Sequence, residues 1–123
     1  MNQQLNDERA KHAYDFVLSM TKKNDEFQKK LRSLARSFPA MIQNNGFCAA
    51  VAFLEAKDED HRVELSKTIK KWLIQKNDIQ ENEKLMQVIV NLSQDIYQMR
   101  AKEIMAYLLW VKRFSEGMLK ADE

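Results

Sequence analysis

FQKKLRSLARSFPAMIQNNGFCAAVAFL, running from Phe27 to Leu54, contains no acidic residue, and all of its charge comes from Lys29, Lys30, Arg32 and Arg36. Wound as a helix, its first part places Phe27, Leu31, Leu34 and Phe38 on one face and Lys29, Arg32 and Arg36, at i, i+3 and i+7, on the opposite one. One side can bury while the other meets an anion. Pro39 removes a backbone donor inside this helix, so a kink there or a short break at Ser37 is expected. Asn44, Asn45 and Gly46 then end it, with Gly46 free to take the left-handed C′ conformation.

Outward from this stretch the same periodicity recurs. Gly46, Gly117 and Pro39 are the only glycines and proline in 123 residues, far short of the turn residues an all-β chain needs about every eight to twelve positions. A first helix is read over Leu5 to Lys22, where Ala10, Ala13, Tyr14, Val17 and Leu18 share a face. Asn24 and Asp25 offer caps to the second, over Glu26 to Gln43. The third, Phe47 to Ala56, carries mostly apolar and small residues and reads as the most buried. A fourth is capped by Asp58 or Asp60 and reaches Gln75, with Leu65, Ile69, Trp72 and Leu73 in register. The fifth is placed over Asn82 to Leu92.

The last helix starts near Ser93, whose hydroxyl can cap it, and continues to Leu119. In it Tyr97, Ala101, Ile104, Leu108, Val111 and Met118 form a seam that Tyr107, Trp110 and Phe114 widen. A seam this wide belongs in the middle of a bundle, or has an aromatic edge that another chain covers. No repeat, low-complexity segment or linker interrupts the chain, so residues 1–123 are expected to form an all-α fold, a single compact bundle of about six helices.

Composition narrows the function classes. A formal charge of +2 is too small to mark a nucleic-acid binder by itself, so position decides. The basic stripe is set against acidic Glu55, Asp58, Glu59 and Asp60, which predicts a polarised molecule. Cys48 is the only cysteine; this excludes an internal disulfide and a zinc ribbon, and suits a reducing compartment. The polar start MNQQLNDERAKH lacks a signal-peptide core, and no apolar run reaches membrane-spanning length, so a cytoplasmic protein without membrane contact is expected.

Chemistry-bearing patterns are scarce. His12 and His61 are not spaced with a second His or Cys as a transition-metal site requires, and Asp58, Glu59, Asp60, His61 and Glu64 lack the alternation and glycine of a calcium loop. Phosphate-cradling glycine motifs and a nucleophile elbow are missing. Glu103 stands at i+3 from Arg100, the spacing of a helical ion pair. The expectation is a non-enzyme without metal, cofactor or small-molecule substrate. What is left is basic: the stripe on the second helix, and Lys112 and Arg113 beside the aromatic seam. Such residues can neutralise phosphates of RNA or DNA with release of counterions, or simply form solvated helix faces.

Three segments taken together carry a resemblance: Arg9-Ala10 with Ala13 following, the block from Leu34 to Phe47 continuing to Ala52-Phe53-Leu54, and Tyr107-Leu108-Leu109-Trp110-Val111-Lys112-Arg113-Phe114. They resemble the small all-helical subunit of the Cmr effector, the type III-B CRISPR RNA-guided complex. The resemblance spans nearly the whole chain, with Lys57 to Gln94 contributing little. It implies a non-catalytic role in antiviral defence, in several copies stacked as a minor filament beside larger subunits that hold the guide. The implied partners are other Cmr subunits, copies of itself, and crRNA and target RNA. Arg36 and the Lys112-Arg113 pair fall at motif positions, Lys29 and Arg32 rest on charge alone, and Pro39, Asn44, Asn45 and Gly46 read as shaping the turn. A helical protein–protein adaptor with no direct RNA contact is the competing reading, its basic faces meeting acidic partner surfaces.

Overall fold

The computed structural model describes residues 3–121, and among them six helices and no strand occur. They are α1 (Gln3–Met20), α2 (Asp25–Asn45), α3 (Phe47–Glu55), α4 (Asp60–Gln75), α5 (Leu85–Val90) and α6 (Gln94–Met118). The all-α class and helix order agree with the sequence periodicity.

The centre of the bundle is α6, which packs along α1 on one side and α2 on the other, while α4 lies on α2 and α3, and α3 reaches α5. This corrects the expectation for α3: it buries Phe47, Ala50, Val51 and Leu54 but leaves Ala49, Ala52 and Phe53 outward. A short helix with one buried face is peripheral, whereas α6 sinks Ile104, Tyr107, Leu108, Val111 and Ser115 over several turns. The central position accounts for Tyr107, while Trp110 and Phe114 at the edge of the seam stay partly exposed.

Several ends differ from the pattern. α2 runs unbroken through Pro39, which is buried among Phe38 and Ile42, so no break forms at Ser37. The Ser37 hydroxyl instead donates to the carbonyls of Ser33 and Leu34, both at 3.3 Å. Gly46 has φ 95° and ψ 158°, a mirror-image extended conformation and not the left-handed helical one. Its N–H donates to Ile42 O at 2.8 Å and its carbonyl accepts from Ala50 N at 3.1 Å, so one residue closes α2 and opens α3. Glu59, not Asp58 or Asp60, occupies the cap position of α4 without a side-chain cap bond, and its carboxylate holds Arg62 at 3.0 Å instead. Ser93 is at the N-cap of α6 as read, but its hydroxyl makes no cap bond. α5 is six residues long, shorter than expected, because a turn precedes it in which Glu83 N donates to Gln80 O at 3.0 Å and Gln80 N to Glu83 Oε1 at 2.7 Å.

Asn24 behaves as its sequence position implies: Oδ1 accepts from Phe27 N at 2.8 Å. Gln28, one turn in, is buried; its Nε2 donates to Thr21 O and Lys23 O at 3.0 and 2.8 Å, and its Oε1 accepts from Lys120 N at 3.1 Å. One amide thereby ties the α1–α2 turn to the chain beyond α6. Asn24→Ala should cost about 1 kcal/mol, read in a thermal melt as a fall of about 3–5 °C.

The ion pair expected within α6 is not formed. Arg100 turns to Asp78 (3.2 Å), and Glu103 takes Arg9 of α1 in a two-pronged bond, Nε to Oε2 and Nη2 to Oε1, each at 2.7 Å. Trp72 Nε1 of α4 donates to Glu103 Oε2 at 3.0 Å, so a single carboxylate joins three helices. Burial works against ionisation of Glu103, but the hydrogen bonds from Arg9 and Trp72, with the charges of Arg9 and Lys76, outweigh it and hold the carboxyl below its ordinary value. Beside it Trp72 and Tyr107 stack at 5.2 Å, and the Tyr107 hydroxyl meets Thr68 Oγ1 at 2.7 Å and His12 Nδ1 at 2.8 Å. The Trp72 and Tyr107 polar atoms are both matched within this layer, which lets aromatic bulk fill the centre without an orphaned donor.

Candidate nucleic-acid interface

The cations read from the sequence divide among three surroundings. Arg32 leans across α6: Nη2 donates to the carbonyl of Glu116 at 3.2 Å, and Nε is buried without a partner among the described residues. The structure therefore spends Arg32 on the α2–α6 contact. Arg36, one turn on, is 65 % exposed and its Nε lies 3.4 Å from Glu116 Oε2, a solvent-washed pair of small energetic weight. Lys112 stands one turn before Glu116 on the same side of α6 and, among the described residues, forms no ion pair. Arg113 points elsewhere, with its guanidinium 5.1 Å from the centre of the Trp110 ring. Adjacent helical residues diverge by about 100°, so Lys112 and Arg113 address different sides of α6 and do not form one clamp.

Lys29 stands two turns before Arg36 on α2, at the rim of a second surrounding. There it joins Lys30, Ser33 and Ser37 in lining a groove of about 470 Å³ between α2, the end of α3 and the start of α4. Phe53, His61 and Arg62 form the opposite wall. The groove is built by local sequence on each element. Lys29, Ser33 and Ser37 repeat at i, i+4 and i+8 on α2, and the turn 56–59 brings the first turn of α4 back against α3. Arg62 is fixed there by three contacts: Nη1 donates to Phe53 O at 2.6 Å, Nε meets Glu59, and the guanidinium lies 4.0 Å over the Phe53 ring.

Charge in the groove is positive on balance. Glu26 is the one acidic side chain on its lining and stands 3.9 Å from Lys30. Burial pushes the His61 imidazole below its usual value, Glu59 pulls it back, and the neighbouring cations Lys30 and Arg62 depress it further. Among the described residues no group of three His, Cys, Asp or Glu side chains is placed to hold a metal ion. The arrangement has point charges and hydroxyls facing an open trough, which suits an anionic ligand held at its oxygens.

Residues 5–118 match the family model described as CRISPR-associated protein (Cas_Cmr5). The chain belongs to the Cmr5 family. Its fold agrees with an X-ray crystal structure of a CRISPR-associated Cmr5 family protein from Thermus thermophilus, at a TM-score of 0.80 and 18 % identity, over 97 % of this chain and 100 % of that one. The two share a backbone while differing at most positions, so surface charge belongs to each chain separately. Small-subunit membership, the reading drawn from the Arg9, Leu34–Phe47 and Tyr107–Phe114 segments, is thereby established.

Within this Cmr5 fold the groove wall formed by Phe53 and Arg62 escaped sequence reading. Phe53 falls in the Ala-Phe-Leu run that reads as core, and Arg62 follows an acidic cluster that reads as a helix cap. The available signal was the helical offset: Phe53 is two residues past Val51 and one before Leu54, hence off the face those two bury. Arg9 also proves structural, holding Glu103. Cys48, whose apolar neighbours Phe47, Ala49, Ala50 and Val51 imply a buried side chain, is partly exposed, with Sγ 3.9 Å from Met86 Sδ and its backbone N–H donating to Tyr97 Oη at 2.8 Å. No helix among the described residues is long and apolar enough to cross a membrane.

Proposed function

We propose that this Cmr5-family chain is a non-enzymatic assembly subunit of a type III-B ribonucleoprotein in antiviral defence, stacked in copies beside other Cmr subunits and supporting crRNA–target RNA through phosphate-directed cations. The observation that carries the RNA contact is the trough beside α2, which half-buried Lys29 and exposed Lys30 line together with Arg62. Arg36 and Lys112 continue the positive surface over the α2–α6 edge, and Arg113 belongs to the far side of α6. Arg32 serves by fixing that edge. Contacts of this kind read backbone and not bases, leaving sequence selection to guide pairing. Repetition along a filament raises the effective concentration of each weak contact.

Lys29→Glu combined with Lys30→Glu tests the reading in the assembled complex. RNA capture should fall about tenfold or more, and the salt dependence should flatten by about 0.7 in logarithmic slope for each phosphate no longer neutralised. Full capture by a complex that assembles normally would remove this site. Arg32→Glu is unsuited to the purpose, because it would disturb α6 packing as well as charge.

A protein-contact role is favoured by a different surface. Tyr14 and Leu18 of α1 are 42 % and 43 % exposed, and Tyr14 meets Phe114 edge-on at 5.5 Å, beside Trp110. This aromatic edge suits a neighbouring subunit and lies apart from the trough, so the two roles are compatible.

A further inference from the structure

The trough beside α2 contains more than charge. Phosphate-directed cations need only an exposed surface, yet here they face a large aromatic ring. Phe53 is 36 % exposed, and the guanidinium of Arg62 is stacked 4.0 Å over it and secured by the Phe53 carbonyl. The guanidinium is paired with Glu59 at 3.0 Å and its side chain is only 11 % exposed, so it backs the phenyl ring, and the flat, rigid face open to a nucleobase is that of Phe53. Across from it Lys29 and Lys30 supply cations, and the Ser33 hydroxyl lies beside them on the same helix flank. The groove volume of about 470 Å³ suits a single small organic unit and is far too small for a base pair with its backbones.

Resting on the RNA-contact reading above, we propose that this groove is a subsite for one unpaired nucleotide, whose phosphate is held by Lys29 and Lys30 while its base packs on the Phe53–Arg62 layer. A base inside a duplex has both faces covered by its neighbours and cannot reach such a platform, whereas an unpaired base can turn out to it. The subsite therefore makes this chain prefer single-stranded over duplex RNA, a discrimination that cations alone do not supply. Attachment to a strand, and not a free nucleotide, is favoured because α2 continues its positive surface beyond the groove at Arg36.

The test uses the full chain at low salt with a short RNA containing a central 2-aminopurine, either single-stranded or annealed to its complement, read by anisotropy for binding and by fluorescence for stacking. Binding of the single strand should quench the fluorophore, and binding of the duplex should not. Phe53→Leu should weaken single-strand affinity about tenfold and leave duplex affinity unchanged, while Lys29→Gln with Lys30→Gln weakens both. Phe53→Tyr keeps the ring and should keep the preference. Equal affinity and equal weakening for the two RNAs, or binding without quenching, would overturn the subsite and leave the phosphate-contact reading standing. Displacement of the strand by micromolar adenosine 5′-monophosphate would mark a pocket for free nucleotides and overturn it as well. Failure of either RNA to bind at low salt would remove the phosphate-contact reading and the subsite with it.

Discussion

Replacing Glu103 by alanine should destabilise the protein by about 3 kcal/mol, the largest loss expected from any single polar side chain. Two partners share that one carboxylate. The two-pronged bond to Arg9 disappears, Trp72 Nε1 is left without its acceptor, and the Arg9 guanidinium, 16 % exposed, stays in place without a counter-charge. Because these groups come from α1, α4 and α6, the damage spreads across the layer where Trp72 stacks on Tyr107. Denaturant unfolding measures the loss. Arg9→Met combined with Glu103→Ala should recover part of it, since the stranded charge is gone; a double variant no more stable than Glu103→Ala would show that the ion pair is not the cause.

The same carboxylate sets an acid limit. Its folded pKa lies below the ordinary value of 4.5, so above that value the unfolded chain gains nothing from binding a proton and the contribution of Glu103 is fully present. As pH falls from there through the folded pKa, the unfolded state takes up the proton first and the contribution is lost. His12 has the same sign at higher pH: burial lowers its pKa from 6.5, so its neutral contact with Tyr107 stabilises above that value and weakens as acid charges the unfolded chain first. Glu103→Gln should flatten the acid limb of stability below about pH 4.5 while leaving the His12 region in place.

Fold class was legible because the long helices are amphipathic with one period. On α2, Leu31, Leu34, Ala35, Phe38 and Ile42 are buried at positions the apolar spacing marks, and Leu65, Ile69, Trp72 and Leu73 of α4 follow the same rule; on α1 Ala13 and Val17 are buried, but Tyr14 and Leu18, marked by the same spacing, stay exposed. What spacing does not encode is partnership across the chain. Assigning charges to a common helix face treats Lys29, Arg32 and Arg36 alike, yet Glu116, about eighty positions away, takes Arg32 at its carbonyl and Arg36 at its carboxylate. Arg100 and Glu103 satisfy the local spacing of an ion pair, but each finds a better-placed partner on another element. The groove was illegible for a related reason. It is assembled from α2, α3 and α4, and only their packing sets Phe53 and Arg62 opposite the lysines.

Gly46→Ala should cost about 2 kcal/mol, and Gly46→Asn should be no better tolerated. A Cβ at Gly46 meets only Tyr97 Oη, at 3.7 Å, so space does not limit the substitution. Backbone conformation does: φ 95° with ψ 158° is a region that side-chain-bearing residues essentially avoid. Asparagine separates this from an ordinary left-handed helix end, where it substitutes well for glycine; near-native stability of Gly46→Asn would contradict the extended mirror conformation. The consequence reaches the groove. Gly46 sets the angle between α2 and α3, and α3 carries Phe53 to the wall facing Lys29 and Lys30. Any relaxation of that angle should loosen the contact between Cys48 N and Tyr97 Oη and move the ring, so Gly46→Ala should also weaken single-strand RNA binding relative to duplex at temperatures where the variant remains folded.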